Sequence, residues 1–142
     1  MSDKEQALSG VLSTMHLRKP QAEALKAFHE VLNSITTPLS ELDNDEITNA
    51  FRTYYPNWNF SDKCTEFTFH LATGVGKTRL IGAVMAYLFN ANESKNFMII
   101  SPRAEIIRKF LDVCQPTSKD YIFVDSNFVG SPHIMDGDSL VY

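Results

Sequence analysis

From residue 66 onward the sequence predicts an α/β domain: a parallel sheet with helices on its faces. Three observations point that way. Phe67, Phe69 and Leu71 alternate with polar residues, so Glu66–Leu71 reads as a strand. Phe97–Ile100 is a continuous apolar run, the pattern of a central parallel strand covered on both sides. Stretches of helical spacing separate these runs, giving the order strand, helix, strand, helix, strand, which calls for right-handed crossovers.

The elements follow in chain order. Ala7, Leu8, Val11, Leu12 and Met15 recur at helical spacing and predict a first short helix. Pro20 suits the first turn of a second helix, on which Ala24, Leu25, Phe28, Val31, Leu32 and Ile35 form one apolar stripe ending at Pro38. Residues 38–63 break the pattern. Glu41, Asp43, Asp45 and Glu46 are followed by Phe51, Tyr54, Tyr55, Trp58 and Phe60, as in an inserted segment with one short helix near Asp45–Tyr54. Aromatic side chains can stack on bases, but the acidic charge here favours a packed surface insertion. After the first predicted strand, Leu80, Ile81, Val84, Met85 and Leu88 mark a well-buried helix. Ile107, Phe110, Leu111 and Cys114 stripe a further helix, and Tyr121–Val124 reads as another buried strand. Residues 125–138 are rich in loop formers, and Ser139–Tyr142 has the character of one more strand.

The bulk numbers limit the function. With 142 residues, 44% of them apolar, the chain suffices for one domain with a real core. A formal net charge of -4 supplies no global basic field for nucleic acid, leaving room only for a local basic edge. Cys64 and Cys114 lie far apart with no Cys/His cluster around them, which argues against a zinc site and for a reducing compartment. His16, His29, His70 and His133 have no metal-ligand spacing. No apolar run reaches the ~18 residues a membrane span needs, and Met1–Gly10 is too polar for a secretory signal. A cytoplasmic location is expected.

The chemistry is concentrated in Leu71-Ala-Thr-Gly-Val-Gly-Lys-Thr78, which follows a predicted strand and opens a predicted helix. Gly74 and Gly76 allow backbone N–H groups to turn toward a phosphate, and the helix starting near Lys77 aims its positive end at the same anion. Lys77 is expected to reach the β- and γ-phosphates of ATP, and Thr78 to place its hydroxyl on Mg²⁺. Thr73, Gly74, Val75, Gly76 and Arg79 complete the expected ATP-binding set. Leu71 stands where the general phosphate-loop pattern has its first glycine.

This spelling resembles motif I of superfamily 2 (DEAD/DEAH-like) helicases, above all the Res subunits of type III restriction enzymes. Two further segments share the resemblance. Leu17-Arg18-Lys19-Pro20-Gln21-Ala22-Glu23-Ala24 is similar to the segment in which a glutamine pairs with adenine. The resemblance therefore implies that Gln21 reads the base, with Arg18 supporting that edge of the pocket. Phe97-Met-Ile-Ile-Ser-Pro-Arg-Ala-Glu-Ile-Ile is similar to motif Ia, and implies that Ser101 and Arg103 contact a DNA backbone. The implied architecture is the N-terminal part of a RecA-like P-loop NTPase domain over residues 1–142, with 38–63 as an insertion. The implied activity is ATP-dependent DNA translocation or unwinding within a restriction or defence enzyme. Its partners would be DNA, a second motor domain, and a methyltransferase or other restriction-system subunit.

The resemblance has a gap where the family places its acidic motif II. Tyr121-Ile-Phe-Val-Asp125 imitates it, but Ser126 replaces the glutamate. The sequence is accordingly read as the front of a longer motor that by itself binds nucleotide weakly and hydrolyses almost none. Two other classes fit the same loop: a non-catalytic nucleotide- or partner-binding remnant, and a P-loop kinase.

Overall fold

The computed structural model describes residues 2–59 and 66–123. Among them are five α-helices and one 3₁₀ turn: α1 (Asp3–Thr14), α2 (Lys19–Asn33), the turn Leu39–Glu41, α3 (Asn44–Tyr54), α4 (Lys77–Asn90) and α5 (Ala104–Cys114).

Helix α1 starts in a reciprocal cap. The Ser2 hydroxyl accepts from the Glu5 amide at 3.3 Å, and the Glu5 carboxylate accepts from the Ser2 amide at 2.7 Å. Asp43 and Glu46 repeat the arrangement at the start of α3, at 2.8 and 2.9 Å. The expected helix near Asp45–Tyr54 thus forms, with a sequence-encoded start. Helix α2 begins one residue before Pro20, whose missing N–H costs nothing there.

Helices α1, α2 and α4 pack on one another. Their shared core takes Ala7 and Val11 from α1, Leu25, Phe28 and Leu32 from α2, and Leu80, Ala83, Ala86 and Tyr87 from α4. The 38–63 segment joins this core through Phe51, which is fully buried. Phe51 and Phe28 both meet Phe67 edge-on, with ring centroids at 5.5 and 5.0 Å, and Phe28 also meets Tyr87 at 6.1 Å. Such edge-to-face pairs contribute about 0.5–1.5 kcal/mol each beyond the area they bury. Tyr55 and Trp58 stack on each other at 4.3 Å.

Two buried polar contacts tie the helices together. His29 Nδ1 lies 2.9 Å from the Tyr87 hydroxyl. Burial pulls the His29 imidazole below its ordinary range and pushes the Tyr87 phenol up, so a neutral imidazole and a neutral phenol share this hydrogen bond. Near the same ends of α2 and α4 the Lys4 ammonium lies 3.1 Å from the Glu93 carboxylate, with both side chains buried. Lys4 also donates to the carbonyls of Leu32, at 2.9 Å, and Ile35. Glu93 in turn accepts from the Leu39 amide at 2.6 Å. One cation thereby satisfies carbonyls at the end of α2, where the helix dipole favours it.

The parallel sheet expected from residue 66 onward is absent: the described residues form helices, turns and irregular segments, with no strand. The apolar pattern signals burial, and burial is reached in part and without strands, with Met98 and Ile100 left exposed. Phe67 and Phe69 pack on Phe28, and Phe97 and Ile99 lie half-buried beside α4. Ile122 and Phe123 are buried as expected but sit in a turn, held by Tyr121 N–H to the Ser118 carbonyl at 3.2 Å and Ile122 N–H to the Val113 carbonyl at 3.0 Å. A strand requires a neighbouring backbone with which to exchange N–H···O=C bonds, and side-chain periodicity does not supply one. The run Ser139–Tyr142 lies outside the described residues.

Helix α4 differs from expectation for the same reason. One face is buried in the bundle, while Ile81 is exposed and Val84, Met85 and Leu88 are half-buried. These residues line a cleft of about 550 Å³ between the segments 67–71 and 96–99, with Lys77 at its edge.

Candidate nucleotide-phosphate site

The loop ahead of α4 is a turn over residues 73–75 leading into the helix. Gly74 has φ +83° and Gly76 φ +92°, left-handed conformations that side chains rarely adopt. A Cβ at Gly76 would also lie 2.7 Å from the Gln21 side-chain nitrogen, so that side chain would have to shift. The two glycines chosen from sequence are therefore the two positions at which the backbone demands them.

Side chains from α2 hold the loop from below. Gln21, only 1% exposed, donates from Nε2 to the carbonyls of Val75 at 2.9 Å and Gly76 at 2.8 Å. Its Oε1 accepts from the Arg18 amide at 2.8 Å. Arg18 Nη1 donates to the Gly74 carbonyl at 3.1 Å. Three successive loop carbonyls thus face α2. A planar trans peptide points its N–H opposite to its C=O. The N–H groups of Val75, Gly76 and Lys77 are therefore turned away from α2, toward the outer side of the loop. Successive amides aimed one way at the start of a helix form a cradle for an anion.

The remaining predicted residues fall around this cradle. Lys77 and Thr73 are exposed, and Thr78 is half-buried on the first turn of α4. Arg79 is half-buried and donates from Nη1 to the Met15 carbonyl at the end of α1, at 3.0 Å. Ser101 and Arg103 lie together just ahead of α5, where the Ser101 hydroxyl and the Arg103 backbone are 3.4 Å apart and the Arg103 side chain is exposed. Asp125 lies outside the described residues.

The donor set fits a phosphate: amides, a lysine and a helix start, with no acidic residue in the first turn of α4. Mg²⁺ would find the Thr78 hydroxyl, and among the described residues no group of three or more His, Cys, Asp or Glu side chains is placed to hold a metal. Cys114 is buried and its thiol is pushed up to about 11 by burial, which keeps it protonated and unreactive at neutral pH.

The loop is legible in the sequence, whereas the tertiary contacts that fasten the helices around it are not. Lys4, Glu93 and the Met15 carbonyl carry no pattern of their own, and Lys4 lies in a polar N-terminal stretch that gives no sign of burial. The resemblance implies that Gln21 reads the base and Arg18 supports that edge of the pocket; in the structure both donate to loop carbonyls.

A family model described as type III restriction enzyme, res subunit, matches residues 14–138 of this chain. No curated protein and no solved structure matches it.

Proposed function

The chain belongs to the type III restriction enzyme res subunit family, and on that premise we propose that it is the ATP-binding part of an ATP-dependent DNA translocase or helicase. The family is one of ATP-dependent, helicase-like motor domains of restriction enzymes. The observation that supports the nucleotide reading best is the pinning of the Gly74, Val75 and Gly76 carbonyls by Arg18 and Gln21, which leaves three amides turned to one side at the start of α4.

In this reading Thr73–Lys77 surround the phosphates, Lys77 neutralises the β- and γ-phosphate charge, and Thr78 offers its hydroxyl to Mg²⁺. ATP would supply the phosphoanhydride, and Mg²⁺ held through the Thr78 hydroxyl would supply positive charge to its phosphates. The chain's own contribution is to orient that end of the nucleotide. Gln21 and Arg18 lie on the flank of the loop. For Gln21 to read adenine, its amide must exchange the loop carbonyls for the base. Ser101 and Arg103, at the start of α5, are the proposed contacts to a DNA backbone. Motor activity further requires DNA, a second motor domain and a restriction-system partner such as a methyltransferase. The proposed location is the cytoplasm. Among the described residues no helix is long and apolar enough to cross a membrane.

Calorimetric titration of the purified chain with ATP and Mg²⁺ is the test. Weak binding that Lys77→Ala removes, with almost no phosphate release, is expected. Absence of ATP binding, or binding indifferent to Lys77→Ala, would overturn the nucleotide reading. Steady turnover that Lys77→Ala abolishes would overturn the claim that this chain alone is inactive.

A further inference from the structure

Arg79 is the third residue of α4, and Lys77 is the first. The two are used differently. The Lys77 side chain is exposed, whereas the Arg79 guanidinium is committed to the Met15 carbonyl, the terminal carbonyl of α1. That contact has a counterpart at the opposite end of the same helix pair. Lys4, in the first turn of α1, is paired with Glu93, just beyond the last turn of α4. Asn92 reaches Asp3 at 3.5 Å beside it. Helices α1 and α4 have 12 and 14 residues, about 18 and 21 Å at ~1.5 Å per residue. They are nearly matched in length, run antiparallel, and are fastened at both ends.

We propose that Arg79 is a positioning residue: its bond to the Met15 carbonyl clips the first turn of α4, and with it Lys77 and Thr78, to α1, which serves as a strut along α4. Three features support this. Carbonyls at a helix end have no partner within the helix, so a cation there is favoured by both hydrogen bonding and the dipole. His16, with φ +46°, turns the chain sharply after Met15 into Leu17-Arg18, so the clip and the Arg18 and Gln21 contacts all arise from one short connection. Those contacts hold the loop from the α2 side, and Arg79 holds the first turn of α4 from the α1 side. Without the clip, the first turn of α4 keeps the Gln21 bond to Gly76 and the buried Leu80 but loses its tie to α1, and opens more readily.

This inference rests on the nucleotide reading only for its functional consequence, so its test has two separate readouts. Amide hydrogen exchange is measured on the whole chain for the natural sequence, Arg79→Ala and Arg79→Lys, alongside affinity for ATP with Mg²⁺ and the thermal midpoint. In Arg79→Ala, exchange at Arg79 and Leu80, whose amides make the first hydrogen bonds of α4, is expected to speed up, and ATP affinity to fall, by roughly tenfold, the usual scale for losing a hydrogen bond from a charged donor. The thermal midpoint should fall by no more than a few degrees, and Arg79→Lys, which keeps a donor on a flexible stem, should fall between. Unchanged exchange and affinity in both variants would overturn the proposal. So would faster exchange spread evenly along the chain with a lower midpoint, which would show general stabilisation instead. Should Arg79→Ala fail to fold, the comparison with Arg79→Lys decides. Should the natural chain bind no ATP, the nucleotide reading falls, and local exchange alone decides the clip.

Discussion

The loop at 73–78 and the segment at 97–103 both carry candidate phosphate contacts, and the structure supports them very differently. The loop is held from two sides by residues more than fifty positions away: Arg18 and Gln21 from α2, and the end of α1 through Arg79. Around 97–103 the only side-chain hydrogen bonds recorded among the described residues are local ones between Ser101 and Arg103. Met98 and Ile100 are 85% and 84% exposed. A site fixed from several elements presents its donors in one arrangement before a ligand arrives, and binding then costs less ordering. A site held by neighbours alone must be ordered by what binds it. The nucleotide assignment therefore has a geometric basis in this chain that the DNA-contact assignment lacks.

The largest expected effect separates the frame from the open segment. Lys4→Ala leaves Glu93 buried without its partner, and loss of one member of a buried ion pair costs about 3–5 kcal/mol. Denaturant unfolding should show a drop of that size. A change below ~1 kcal/mol, the usual value of an exposed pair, would mean that the frame is not what holds this half of the molecule.

Gly76→Ala comes next. It introduces a side chain at φ +92° and within 2.7 Å of Gln21, and such strain costs of order 1–3 kcal/mol. Stability should fall by that amount, and ATP binding should disappear, because Gln21 can no longer hold the two carbonyls. Retained ATP affinity would detach the pinned carbonyls from nucleotide binding.

The smallest effect is expected in the open segment. Met98→Ser and Ile100→Ser change exposed residues and should alter stability by no more than about 0.5 kcal/mol. A larger loss in thermal or denaturant unfolding would show that this segment is covered in solution, and would remove the contrast with the loop.

The sequence by itself determined the helices and the loop. Ser2 with Glu5 and Asp43 with Glu46 mark helix starts through neighbouring residues, and the stripe on α2 follows from 3.6-residue periodicity. Gly74 and Gly76 announce a backbone conformation that few other residues tolerate. All of these are local signals, readable within a few positions. Only the tertiary structure decided what the apolar runs at 67–71, 97–100 and 121–123 would do. Their periodicity specifies that side chains seek burial; aromatic packing on Phe28 serves 67–71 and a turn against α5 serves 121–123 without any strand pairing, while Met98 and Ile100 stay exposed. The strut along α4 was equally invisible, since a lysine at position 4 and a glutamate at position 93 are ordinary surface residues until folding brings them to 3.1 Å. Pairing partners and ion pairs are relations between distant residues, and no single stretch of sequence contains them.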